Sequence, residues 1–72
     1  MKVEGKNAVR ELLKTDAEID KILVQNGLKD SDSRRLISIM RENRVKVQFA
    51  DAIVLDKESE NKKHQGFIAY VS

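Results

Sequence analysis

The chain has 72 residues, a net charge of +2, and 36% charged residues of both signs. That is enough for one compact domain, residues 1–72, which buries only about 60% of the surface its unfolded chain exposes. With no cysteine and a single histidine, it holds neither disulfides nor the ligand set of a structural zinc site.

Taken in chain order, Lys2 to Glu4 suggest a short edge strand. Gly5-Lys6-Asn7 then opens a helix whose apolar residues Val9, Leu12 and Leu13 fall at i, i+3 and i+4, with the glycine or Asn7 as its cap. Ile19 to Gln25 centre on Ile22-Leu23-Val24, a run suited to a buried strand, and Asn26-Gly27 ends it with turn chemistry. Asp30 to Ser33 offer several N-caps for a second helix reaching about Asn43, with Leu36, Ile37 and Met40 as its apolar stripe. Val45, Val47 and Phe49 alternate with Lys46 and Gln48, the period-two pattern of a strand with one polar side. Asp51 caps a short third helix through Ile53, Val54 and Leu55. Lys57 to Lys63 are polar and aperiodic and read as an exposed loop. Phe67 to Val71 are apolar on both faces, as in a strand covered above and below. Strands alternating with helices imply an α/β fold, here a three-layer α/β/α sandwich around a small four-stranded sheet.

No linker, repeat or signal segment is visible. The longest apolar run, Phe67 to Val71, is far short of the roughly 20 residues a membrane span needs. These features lead to an expectation of a soluble, cytoplasmic protein without a membrane partner.

Two groups of residues carry candidate chemistry. Lys6, Arg10 and Lys14 are spaced by four, which places three cations on one side of the first helix, away from Val9, Leu12 and Leu13. With the helix start at Gly5-Lys6-Asn7, they form a candidate track for a phosphate backbone. The plain alternative is a solvated helix face. At the other end of the chain, Asn61, Lys62 and Lys63 precede His64-Gln65-Gly66. His64 and Gln65 can hydrogen-bond a ribose 2′-hydroxyl or a base edge, and Gly66 permits a sharp turn into the last strand. The alternative is a histidine that packs or caps at a strand end. Arg34, Arg35, Arg41 and Arg44 read as a solubility surface because Asp32 and Glu42 interrupt them. The three aromatic residues all fall on apolar strands, so a stacking platform is not expected. Catalytic signatures are missing: there is no glycine-rich phosphate loop and no nucleophile elbow.

Three stretches together resemble one family. Gly5-Lys6-Asn7-Ala8-Val9-Arg10-Glu11-Leu12-Leu13 resembles the opening of the substrate-binding domain of SpoU/TrmH-type RNA 2′-O-ribose methyltransferases. Ile19 to Val24 is similar to the strand that follows it there. Val45 to Ala50, Leu55-Asp56 and His64-Gln65-Gly66-Phe67-Ile68-Ala69 resemble its closing pattern. The resemblance implies a fold shared with the kink-turn-binding ribosomal proteins. It also implies a domain that holds ribosomal or transfer RNA while a separate C-terminal methyltransferase domain acts on it.

 The resemblance further implies that S-adenosylmethionine belongs to that C-terminal domain, so no cofactor is expected in these 72 residues, and that the full-length parent is a homodimer. On this reading RNA contact falls to Gly5, Lys6, Asn7, Arg10, Lys14, Asn61, Lys62, Lys63, His64, Gln65 and Gly66. The two motifs should then converge at one edge of the sheet, with Asn7 and His64 on a shared face. Two alternatives are a protein-interaction domain that packs on its catalytic domain or a partner subunit, and a free-standing kink-turn RNA binder.

Overall fold

A computed structural model describes residues 1–72, which form seven elements in strict alternation. They are β1 (Lys2–Glu4), α1 (Lys6–Leu12), β2 (Ile19–Gln25), α2 (Ser31–Glu42), β3 (Val47–Ala50), α3 (Ala52–Glu58) and β4 (Phe67–Val71). Gly5, at φ +103°, turns the chain from β1 into α1, a backbone angle that residues with a Cβ rarely adopt. Asp30 caps α2 by accepting the Ser33 backbone N–H at 3.0 Å.

The sheet order is β1-β4-β2-β3. β4 runs antiparallel to both β1 and β2, while β2 and β3 are parallel. The strands β1, β2 and β3 therefore point the same way, and β4 runs against them. Between Ile19 and Lys21 the β2–β4 pairing slips by one residue, a bulge at Asp20.

Strand alternation divides the core into two layers. Ile22, Val24, Phe67 and Ala69 face α1 and α2 and pack with Val9, Leu36 and Met40. Leu23 and Ile68 face the other way, onto Leu55 of α3. Two helices on one face and one on the other make the three-layer α/β/α sandwich that the alternation predicts.

Three local expectations need correction. The third strand starts at Val47, because the Val45 N–H instead bonds the Met40 carbonyl at the end of α2. Phe49 is not core: β3 is an outermost strand, and the ring is 46% exposed. The polar run from Lys57 is not all loop, since α3 continues to Glu58 and Ser59 is buried. The Ser59 hydroxyl donates to Glu4 and accepts the Lys62 N–H at 2.9 Å, so its burial leaves no polar atom unpaired.

Candidate nucleic-acid interface

Because β1, β2 and β3 run together, their carboxyl ends and the starts of all three helices lie at one end of the sheet. β4 begins there too. Open α/β sheets place ligands at this end of their parallel strands. The two sequence motifs meet here. The Gly5 N–H donates to the Phe67 carbonyl at 3.1 Å, and the Lys6 N–H donates to Gln65 Oε1 at 2.9 Å. A Cβ on Gly5 would stand 3.3 Å from that same Gln65 oxygen, and one on Gly66 would stand 2.8 Å from Leu28 Cδ1. The glycines thus allow the close approach of segments far apart in sequence.

His64 is held from both ring nitrogens. Nδ1 accepts the Gly66 N–H at 2.8 Å, which leaves the ring proton on Nε2, and Nε2 donates to Asp56 Oδ1 at 2.7 Å. The side chain is only 11% exposed. It therefore fixes the turn between α3 and β4. Asp56 belongs to α3, whereas Asn7 lies on α1, where its Oδ1 accepts from Arg10 at 2.8 Å. The side chains of Asn7 and His64 thus engage layers on opposite faces of the sheet, and the expected shared face does not form between them. The meeting point is the Lys6–Gln65 seam.

The turn carries backbone strain. Lys62, Gln65 and Gly66 have φ of 62°, 53° and 89°, and the left-handed region costs a non-glycine residue about 1–2 kcal/mol. Local bonds hold it: Asn61 Oδ1 accepts the Lys63 N–H at 2.7 Å, and Lys62 Nζ donates to the Asp56 carbonyl at 3.1 Å. Strain maintained in this way is concentrated at functional sites.

The predicted cation stripe is less free than its spacing suggests. Lys6 Nζ pairs with Asp30 Oδ2 at 2.9 Å. That bond, with the one from the Ser33 backbone N–H, holds the Asp30 carboxyl well below the usual carboxylate range. The Lys6 N–H is taken by Gln65, so it does not serve as an open anion site at the helix start. Lys14 lies beyond the end of α1 and pairs with Glu11 at 3.1 Å in full exposure, a contact of little energetic weight. Among the predicted site residues, the groups left to meet a partner at this end are the Lys63 ammonium, the Asn7 and Gln65 amide N–H groups and the remaining Arg10 donors. Sequence reasoning missed Asn26 and Asp51, whose side chains bond at 3.0 Å and tie the ends of β2 and β3 together. The Asn26-Gly27 turn directly after a buried strand is the signal that marks this position.

A groove of about 500 Å³ lies away from both motifs, lined in part by Asp16, Glu18, Asp20, Arg44 and Lys46. Its mixed charge gives a phosphate no clear preference for it.

Compared with known families, residues 2–72 match the family model described as RNA 2′-O ribose methyltransferase substrate binding. No curated protein matches the sequence.

Proposed function

The chain belongs to the RNA 2′-O ribose methyltransferase substrate-binding family, and from that premise we propose that it grips ribosomal or transfer RNA at the carboxyl end of its parallel strands. In this reading a methyltransferase domain C-terminal to the present residues performs the chemistry, and S-adenosylmethionine held by that domain supplies the methyl group. The parent enzyme is a cytoplasmic homodimer.

The residues of this chain bind and orient. Lys63 and Arg10 meet phosphate oxygens, which position RNA without reading its sequence. Gln65 already uses its Oε1 on the Lys6 N–H, so its amide N–H groups are what it offers to a 2′-hydroxyl or a base edge. Gly5 and Gly66 allow the two segments to touch, Asn61 and Lys62 brace the turn, and His64 sets its shape. Lys6 and Asn7 act through their internal bonds, and Lys14 adds long-range charge.

The observation that carries this reading is the Lys6–Gln65 bond, which joins the two motifs at the sheet end where such folds hold ligands. Titration of the chain with RNA, followed by amide chemical shifts at two salt concentrations, tests it. Salt-sensitive shifts centred on Gly5 to Arg10 and Asn61 to Gly66 are expected. Shifts confined to the groove around Asp16 and Arg44 would refute it.

A second reading has its own observation. Ile53 and Val54 on α3 are 63% and 41% exposed, on the layer away from α1 and α2. Such a patch suits packing against the methyltransferase domain. If so, Ile53→Ser should leave RNA binding by the chain intact and weaken its association with that domain.

A further inference from the structure

The four arginines of the α2 region change meaning once the helix is placed. Ser31, Arg34, Ser38 and Arg41 follow one another at steps of three and four, and all four are exposed. They form a single stripe along one flank of α2. Neither arginine makes an ion pair; the cations that do are Lys2, Lys6, Lys14 and His64. Glu42 is turned about 100° round the helix from Arg41, and Asp32 about 160° from Arg34, at 3.6 residues per turn. Asp30 is the one carboxylate a turn away from Arg34, and it is turned to Lys6 and Ser33. The side of the flank that carries Arg34 and Arg41 is therefore cationic, and Glu42, four residues after Ser38, borders the stripe at its other side.

Its direction follows from the topology. The β2–α2–β3 connection joins parallel neighbours, and such crossovers are right-handed. With α2 running back against those strands, positions 34, 38 and 41 turn toward β3 and away from α1. At that margin stands Phe49, which pairs with Val24 and so shares the sheet face covered by α1 and α2. Its ring is 46% exposed. Arginines, hydroxyls and an exposed ring on one margin are the groups that hold single-stranded RNA, with cations on the backbone and the ring against a base.

We propose that Arg34 and Arg41 on α2, with Phe49 on β3, form a second RNA contact along the β3 margin, separate from the Lys6–Gln65 seam. Guanidinium groups take two phosphates, Ser38 supplies a hydroxyl donor between them and Ser31 another beyond Arg34, and Phe49 stacks on one unpaired base. The inference rests on the chain binding RNA, but places part of that binding where neither motif lies.

The test uses the 72-residue chain and two probes, an unstructured single-stranded RNA and an RNA duplex, with affinity measured over a range of salt. The variant R34Q/R41Q should bind single-stranded RNA on the order of tenfold more weakly at low salt. Its log affinity against log salt should be shallower by about 1.4, because each phosphate contact on a single strand contributes about 0.7 to that slope. Phe49→Ala should lose about fivefold or more on the single strand and nothing on the duplex, whose bases are not free to stack. Lys57→Gln, on α3, serves as the control and should bind as the parent chain does. If R34Q/R41Q keeps both affinity and slope while Lys63→Gln loses them, the second contact is wrong and the RNA reading stands. If the unaltered chain shows no salt-dependent RNA binding, the RNA reading itself fails and this inference with it.

Discussion

Gln65 and Lys6 stand 59 positions apart, yet the side-chain oxygen of one accepts the backbone N–H of the other at 2.9 Å. The N-cap position of α1 is Gly5, which has no side chain to cap the helix. Gln65 acts as a cap brought in from the far end of the chain, and so couples the start of α1 to the turn before β4.

That coupling predicts how substitutions at position 65 divide. Gln65→Ala removes the cap and keeps the left-handed backbone strain, and should cost about 1 kcal/mol in urea unfolding. Gln65→Gly also removes the cap but relieves strain worth about 1–2 kcal/mol, so it should unfold closer to the parent chain. An alanine variant with an unchanged midpoint would show that the bond contributes nothing.

His64 allows a finer separation, because each of its nitrogens has one partner. An asparagine at 64 keeps an acceptor near the position of Nδ1, and a glutamine keeps a donor near Nε2. His64→Ala should cost about 1–3 kcal/mol by leaving the part-buried Gly66 N–H without a partner. His64→Asn should recover more of that loss than His64→Gln and should slow hydrogen exchange at Gly66. Equal loss in all three variants would mean that the ring's packing, not its hydrogen bonds, matters.

How far the sequence could be read depended on the range of the interaction. All seven elements were legible because apolar periodicity, glycines and caps are local signals. The layers followed from alternation. What failed was decided by distant partners. Ser59 looks like loop, yet it is buried because Glu4, 55 positions away, accepts its hydroxyl. Phe49 looks like core, yet β3 ends the sheet, and strand order is not written in spacing. Within the candidate site, the meeting of Gly5-Lys6 with Gln65-Gly66 was foreseeable from the motifs. The occupation of Lys6 by Asp30, and of His64 by Asp56, was not.

Ser33 gives a prediction of the opposite sign to most. Its hydroxyl is fully buried in α2 and has no hydrogen-bond partner, although its backbone N–H is satisfied by Asp30. A buried polar atom without a partner is destabilising. Ser33→Ala removes the oxygen, keeps the cap, and raises helix propensity by roughly 0.5 kcal/mol. The variant should be more stable than the parent by up to about 1 kcal/mol in urea unfolding. A loss of stability would reveal a partner for the hydroxyl.

Tyr70 sets the alkaline limit. Burial, and then the hydrogen bond its hydroxyl donates to Glu58 at 2.6 Å, push its pKa up from the ordinary 10.0 to about 12. A group whose pKa is raised by folding stabilises the fold below its unfolded pKa, and that contribution is lost as pH rises through the folded one. Stability should thus decline between about pH 10 and 12. As Tyr70 is the sole tyrosine, its near-ultraviolet absorbance reports the titration without overlap. Glu58→Gln removes the neighbouring charge and should bring the midpoint down toward 10. At the acid end the sign reverses. Hydrogen bonding to Lys6 lowers Asp30, and hydrogen bonding to Tyr70 lowers Glu58. Burial pushes Glu4 up, but bonds from Ser59, Glu60 and Asn61 outweigh it and leave Glu4 lowered as well. Carboxylates lowered by folding stabilise the fold above their unfolded values, so stability should fall as pH drops below about 4. Lys6→Gln should make that acid decline less steep, because it removes the largest cause acting on Asp30. An unchanged acid limb in Lys6→Gln would show that the Lys6–Asp30 pair does not couple to folding.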